Sequence, residues 1–405
     1  MASRKKMYDF APVFKQPTGS PIRELSRYLN QPGMISFAGG VPASDLFDVH
    51  GFKRASEIAF ENPVACLQYG ATEGMPALKE QILRFVEEDD IRRDDSEVIV
   101  TTGSQQGFDL LLRAFVSSGD VVFVEERTYP ATLQALRLQQ ASVTGVAVDS
   151  DGLDTVALKL LLESDTLKAK PKLLYVVPSF SNPSGLTLSL ERRIELLELA
   201  VKHQFVIVED DPYHGLRFYG EPIPSLLSLS GRVEGARDWV VHLGSLSKIS
   251  APGLRVGWTI GPADIVRRCV IAKQTADLCS STWMQAVAAE YLKSGALRPH
   301  LKKIADEYGK KCDVLCDLLK QEFSDGIVFD RPMGGMFLWA RLRSGSDTSA
   351  LLSKAIANDV VYVPGRVFFA DQPDISSLRL SYAAPGEVLI REGVRRLRRA
   401  FEGSL

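Results

Sequence analysis

Between residues 98 and 243 the chain returns repeatedly to short runs of β-branched and other apolar residues. These are Val98-Ile99-Val100, Val121 to Val124, Leu173 to Val177, Val206-Ile207-Val208 and Val240 to Leu243. Stretches with helical periodicity separate them, such as Ser104 to near Val116 and the stretch through Leu196, Leu197 and Leu199. Strands this continuously apolar suit a sheet covered by helices on both faces, which is the setting of parallel sheets. The pattern predicts an α/β fold with a large, mainly parallel sheet flanked by helices. Ligands of such a sheet gather outside the carboxyl ends of its strands.

The pattern changes after about residue 282. Thr282 to Glu322 reads as long helix interrupted at Gly295 and Pro299. Gly335 to Trp339 and Leu378 to Tyr382 read as strands, and Thr348 to Asn358 and Glu387 to Phe401 as helices. This predicts a smaller α+β domain. The expected division is an N-terminal segment, 1–44, joining the small domain and the substrate pocket, a large domain, 45–285, and a C-terminal small domain, 286–405.

Composition excludes several classes. With 48 basic and 50 acidic residues among 405, the net charge of −2 gives no sequence-wide basic field for nucleic acid. Five cysteines, an odd number without a CxxC, indicate neither a disulfide framework nor a paired zinc site. Cys312 and Cys316 are expected to pack on one helix face, no metal site is expected, and a reducing cytoplasm fits. The basic start, Met1 to Lys6, leads into Asp9-Phe10-Ala11-Pro12 and not an apolar core, so neither export nor membrane insertion is expected.

The chemistry concentrates in Gly244-Ser245-Leu246-Ser247-Lys248, continuing to Arg255-Val256-Gly257-Trp258, directly after an apolar run. Two hydroxyls and an arginine suit a phosphate, while a lysine beside them suits Schiff-base chemistry. Upstream, Gly103-Ser104-Gln105 lies between strand and helix, Ser181-Asn182-Pro183 ends one strand and Glu209-Asp210-Asp211-Pro212-Tyr213 ends another. A helix starting near Ser104 directs free N–H groups at an anion. Neither GxxxxGK[ST] nor GxGxxG occurs, which argues against the usual nucleotide sites.

Taken in order, several motifs resemble one family. They are Ser36-Phe37-Ala38-Gly39-Gly40, Gln68-Tyr69-Gly70, Thr102-Gly103-Ser104-Gln105-Gln106, Pro178 to Gly185, Ser245-Leu246-Ser247-Lys248, Gly253-Leu254-Arg255 and Leu378 to Tyr382. The chain resembles the fold-type I, pyridoxal 5'-phosphate-dependent aminotransferases of class I/II, in the 2-aminoadipate and kynurenine/aminoadipate branch. The resemblance implies a ping-pong transfer from an L-amino acid to a 2-oxo acid such as 2-oxoglutarate or pyruvate. It also implies a homodimer with shared sites.

Residue roles follow from that resemblance. Lys248 would tether the cofactor and move the Cα proton; Asp210 would pair with the pyridine nitrogen. Asn182 and Tyr213 would hydrogen-bond the phenolic oxygen, and Tyr129 would stack on the ring. Ser104, Gln105, Ser245, Ser247 and Arg255 would hold the phosphate, with Tyr69 reaching across from the second subunit. Arg379 would clamp the substrate α-carboxylate, with Asn182 and the backbone of Gly39 and Gly40 close by. Arg23 matches a branch position associated with acidic side chains, so 2-aminoadipate, glutamate, aliphatic and aromatic donors are all candidates. Two rivals share these motifs. One is lyase, decarboxylase or racemase chemistry on the same site. The other is an effector-sensing domain of a transcription regulator, for which the roughly 40 residues before Gly39 are too few to hold a winged helix and linker.

Overall fold

The computed structural model describes residues 8–15, 19, 21–29, 31–165, 167 and 169–405. Among them, the large sheet comprises β1 (Val98–Thr101), β2 (Val121–Glu125), β3 (Ser142–Val146), β4 (Leu173–Val176), β5 (Val206–Asp210), β6 (Val240–Ser245) and β7 (Gly257–Ile260). Their order is β1-β7-β6-β5-β4-β2-β3. The neighbours from β6 to β3 run parallel, while β7 is antiparallel to both β1 and β6. Every residue of β1, β2, β4, β5 and β6 is buried, which is why these strands stand out in the sequence as apolar runs.

Two strands of the large sheet escape the sequence reading. β3 is an edge strand whose residues are mostly half-exposed, so its composition, Ser-Val-Thr-Gly-Val, is mixed. β7 begins inside the segment singled out for its chemistry, which ends at Gly257-Trp258. It reverses direction and brings Gly257 against the β1 turn, where a Cβ at Gly257 would come within 2.7 Å of the Gly103 backbone.

The helices that matter for the site are α1 (Pro21–Leu29), α2 (Ser104–Phe115), α3 (Pro130–Leu138), α4 (Leu190–His203), α5 (Thr282–Lys293), α6 (Leu297–Phe323) and α7 (Glu387–Ala400). The predicted break falls at Gly295 (φ +72°), between α5 and α6. Pro299 does not break the chain; it is the third residue of α6, where its missing N–H has no helical partner to lose. Cys312 and Cys316 are buried on α6 with their Sγ atoms 4.0 Å apart.

The second sheet is antiparallel: β8 (Ile327–Phe329), β9 (Phe337–Leu342), β10 (Val363–Pro364) and β11 (Ser377–Ser381), in the order β8-β9-β11-β10. The N-terminal segment joins it. Ile35 and Ser36 pair in parallel with Val360 and Val361, and the Phe37 carbonyl accepts from Ser381 N at 2.8 Å. This lays Ala38 to Gly40 between the two sheets. No helix among the described residues is long and apolar enough to cross a membrane.

Candidate active site

A cavity of about 320 Å³ opens at the carboxyl ends of the parallel strands. Its floor on one side is the turn from β1 into α2. Gly103 there has φ +80°, and a Cβ would come within 2.7 Å of the Arg255 Nη2, so a side chain at this position would both strain the turn and displace the guanidinium. Arg255 donates to the Thr102 carbonyl at 3.2 Å and to the Ser247 hydroxyl at 3.3 Å. Ser245 Oγ donates to Ser247 Oγ at 2.9 Å and accepts from Ser247 N. Ser104 and Gln105 open α2 on the same wall. Hydroxyls, a guanidinium and the N-terminus of a twelve-residue helix thus converge on one corner, an arrangement matched to a phosphate.

Lys248 lies beyond that corner, and its Nζ donates to the Gly40 carbonyl at 2.7 Å. Burial, with Arg379 and Arg255 adding repulsion, pushes its pKa down to about 8. The neutral form, which a nucleophilic amine requires, is therefore far more populated near neutral pH than in an ordinary lysine.

Asp210 ends β5. Its Oδ2 accepts from the Tyr175 hydroxyl at 2.7 Å, and its buried Oδ1 has no hydrogen-bond partner among the described residues. Burial raises its pKa to about 6, with Asp211 adding to the rise and Tyr175, Ser104 and His242 opposing it. Next along β5, Glu209 is held differently. Burial works against its charge, but His242 Nδ1 at 3.1 Å and the N–H groups of Leu226 and Leu227 keep its pKa low.

Arg379, on β11, is 1% exposed. It donates to Asn182 Oδ1 at 2.8 Å and to the Ala38 carbonyl at 2.6 Å, while its Nε has no partner among the described residues. The guanidinium carbon stands 4.3 Å from the centre of the Phe337 ring and 5.1 Å from that of Phe368. Burial lowers its pKa to about 10. Tyr213 is buried, its pKa raised by burial, beside Asn182; Tyr129 caps the start of α3 on the opposite wall, its pKa also raised by burial.

The mouth is covered by α1, where Ile22 and the exposed Arg23 line the cavity. The structure thus brings all the sequence-predicted site residues together except two. Gly39 is buried next to the cavity, which Gly40 lines. Tyr69 is 78% exposed and lines a different recess with Leu67, Gln68 and Thr282.

Comparison with known proteins decides the family. The family model for aminotransferase class I and II matches residues 40–397. The chain belongs to that family. It is 38% identical to an aromatic-amino-acid aminotransferase of Thermococcus litoralis, over 93% of this chain and 90% of that protein. It is 37% identical to a 2-aminoadipate transaminase of Thermus thermophilus, over 95% and 94% respectively. The solved alpha-aminoadipate aminotransferase of Thermus thermophilus, complexed with N-(5'-phosphopyridoxyl)-L-leucine, superposes with a TM-score of 0.88. That structure shares 36% identity and covers 97% of each chain. These likenesses make the chain a pyridoxal phosphate-dependent aminotransferase of fold type I.

The aminotransferase cavity fits that cofactor on its own evidence. A phosphate corner, a lysine of lowered pKa and a buried carboxylate oxygen without a partner lie along one cavity. Three features of the aminotransferase site were missed in the sequence. Tyr175, the donor to Asp210, lies inside an apolar run and is revealed only by strand register. The Ala38 carbonyl carries no side-chain signal, and the backbone of Gly40, expected beside the substrate carboxylate, accepts from Lys248. Phe337 and Phe368, which flank Arg379, read as ordinary core.

Proposed function

We propose that this aminotransferase carries the amino group of an L-amino acid to a 2-oxo acid such as 2-oxoglutarate or pyruvate in a ping-pong cycle. The observation that carries the reading is one lysine set among a phosphate corner, a buried carboxylate and a buried arginine without a carboxylate partner among the described residues. Bound pyridoxal phosphate supplies an aldehyde carbon for amine attachment and a ring that accepts the electron pair left at the substrate Cα. Ser104, Gln105, Ser245, Ser247 and Arg255 hold the phosphate. Asp210 Oδ1 would accept from the protonated ring nitrogen, Asn182 and Tyr213 would bond the phenolic oxygen, and Tyr129 would cover the ring face. Lys248, whose Nζ now donates to the Gly40 carbonyl, is the amine that would hold the cofactor's aldehyde carbon, and the same nitrogen would take up the proton at the substrate Cα. Arg379 binds the α-carboxylate through its fork, with the guanidinium already oriented by Asn182 and Ala38.

The donor set combines acidic and apolar side chains. Ile22, Val41 and Ala135 give the outer cavity an apolar lining, and Arg23 adds one guanidinium there. The relatives named for aromatic amino acids and for 2-aminoadipate, and the neighbour bearing a leucine adduct, support this breadth. The working form is a cytoplasmic homodimer in which Tyr69 reaches the partner's phosphate site. Its exposure, together with that of Val64 (74%) and Leu67 (67%), supports a covered face there. The division into segments 1–44, 45–285 and 286–405 belongs to the same proposal, with the first carrying Arg23 and Gly40 to the pocket.

Borohydride reduction of the holoenzyme followed by peptide mapping tests the assignment and is expected to label Lys248; a label on another lysine refutes it. A panel of amino donors with 2-oxoglutarate or pyruvate, followed by the cofactor's absorbance, tests the reaction. Turnover without an oxo-acid acceptor would contradict transfer.

A further inference from the structure

Tyr175 lies on β4 opposite Val208 of β5 in the parallel register. Side chains two residues apart on a strand share a face, so Tyr175, Val208 and Asp210 stand on the same side of the sheet. The phenol reaches forward over Val208 and donates to Asp210 Oδ2 at 2.7 Å. Its ring is 1% exposed and packs edge-on against Phe108, with centroids 4.9 Å apart. Burial and the neighbouring carboxylate raise the phenol's pKa well above its ordinary value, so it remains a donor across the working pH range.

The result is an asymmetric carboxylate. One oxygen is engaged by a fixed donor, and the other is buried without a partner among the described residues. The terminal torsion of an aspartate is soft and roughly two-fold. Bonding one oxygen to a packed ring removes that freedom and leaves the second oxygen aimed by default.

We propose that Tyr175 is a positioning residue for the cofactor's ring nitrogen: by bonding Asp210 Oδ2 it fixes the carboxylate, keeps it ionised and presents Oδ1. This rests on the reading that Asp210 pairs with that nitrogen. The charge is not secure without help. Asp211 beside Asp210 favours its protonated form, His242 from β6 favours the ionised one, and Tyr129, Tyr213 and Lys248 face it across the cavity. With the Tyr175 bond in place the pKa of Asp210 already stands at about 6. Without that bond it moves up, and less of the charge opposite the ring nitrogen is expected to remain near pH 6.5 than in the wild type.

The test uses Tyr175→Phe, which removes one oxygen and keeps the ring. Pyridoxal phosphate affinity is measured by titrating the apo-protein at pH 6.5 and pH 9, and the pH midpoint of the bound cofactor's visible absorbance is recorded alongside. The expected result is a loss of about tenfold or more in affinity at pH 6.5, the scale of a hydrogen bond to a charged group, shrinking towards wild type at pH 9. The absorbance midpoint shifts with it. In an Asp210→Asn background the same substitution adds nothing further. An equal loss at both pH values, or an additive loss in the double variant, overturns the proposal and makes Tyr175 a packing residue. If Asp210→Asn alone leaves affinity and spectrum unchanged, the underlying reading of Asp210 fails, and the proposal with it. Should Tyr175→Phe not fold, Tyr175→Leu, which is apolar and cannot donate, is expected to show the same loss confined to low pH; a loss independent of pH overturns the proposal.

Discussion

At the large-sheet end of the cavity, Asp210 keeps a fixed donor, Tyr175, and looks towards two cationic side chains, Lys248 and Arg255. At the small-sheet end, Arg379 lies between two phenyl rings and is held only by an amide oxygen and a backbone carbonyl. Both charges are buried, and each keeps one polar atom without a partner among the described residues. The difference lies in what completes them. A buried cation whose neighbours are all neutral acceptors leaves much of its desolvation uncompensated until an anion arrives. A carboxylate braced by a phenol suits a resident group, whereas an arginine with only neutral acceptors suits a visitor that must also leave.

The largest effect is expected where the two ends meet. Lys248→Ala removes both tether and proton carrier, and transamination in a multiple-turnover assay is expected to fall to background while the thermal transition is retained. Substitutions at the ends then separate the two regions. Asp210→Asn keeps the shape and removes the charge, so kcat is expected to fall by about 10²-fold or more and the apo-protein to bind pyridoxal phosphate less tightly. Arg379→Ala is expected to leave cofactor affinity within a few-fold and to lower kcat/KM for every donor by about 10²-fold or more, whatever its side chain. If Arg379→Ala affected only some donors, or released the cofactor, the contrast between resident and visitor would be wrong.

The resident end is the more legible in sequence. Lys248, Asp210, Asn182 and Arg255 stand in motifs at strand ends, where polar residues interrupt apolar runs and so declare themselves. The buried strands are legible for the complementary reason, since both faces of each lie in the core. Edge strand β3 has no such signature, and β7 is short and begins with a glycine chosen by close approach to Gly103. Tyr175 was illegible because its role depends on a register between two strands, and a tyrosine in an apolar run looks like packing. Ala38 acts through a backbone atom, for which the side-chain sequence carries no record.

Arg23 sharpens the comparison on a smaller scale. Its place on α1 puts it on the cavity lining contributed by the N-terminal segment, where the proposal sets the substrate's side chain. Arg23→Ala is expected to lower kcat/KM for 2-aminoadipate or glutamate by about 1.5–3 kcal/mol, the value of a charged hydrogen bond, with leucine-like and aromatic donors nearly unchanged. Equal losses for acidic and apolar donors would make Arg23 a support of α1.

The last expected effect concerns stability and not turnover. Glu125, at the end of β2, accepts from Val177 N at 3.0 Å, and burial raises its pKa from 4.5 to about 7. Its folded value lies above its unfolded one, so the fold favours the protonated form. Stability is expected to decline as pH rises from about 4.5 through 7, by no more than about 3 kcal/mol. Glu125→Gln keeps an acceptor for Val177 and cannot ionise. Its melting temperature is expected to exceed that of the wild type at pH 8 and to converge on it near pH 4.5. A constant offset across that range would place the charge of Glu125 outside the pH dependence.

Lys248 and Arg379 come from different sheets, yet both donate to the same short stretch of chain, to the carbonyls of Gly40 and Ala38. Two peptide units therefore set the distance between the nitrogen proposed to handle the amino group and the guanidinium proposed to bind the carboxylate. The substrate's own two functional groups are separated by a single carbon, a spacing that the two side chains have to match. An insertion of one residue between Ala38 and Gly40 would change that gauge without altering any side chain of the pocket, and the spacing between two independent layers of the molecule would lose its common reference.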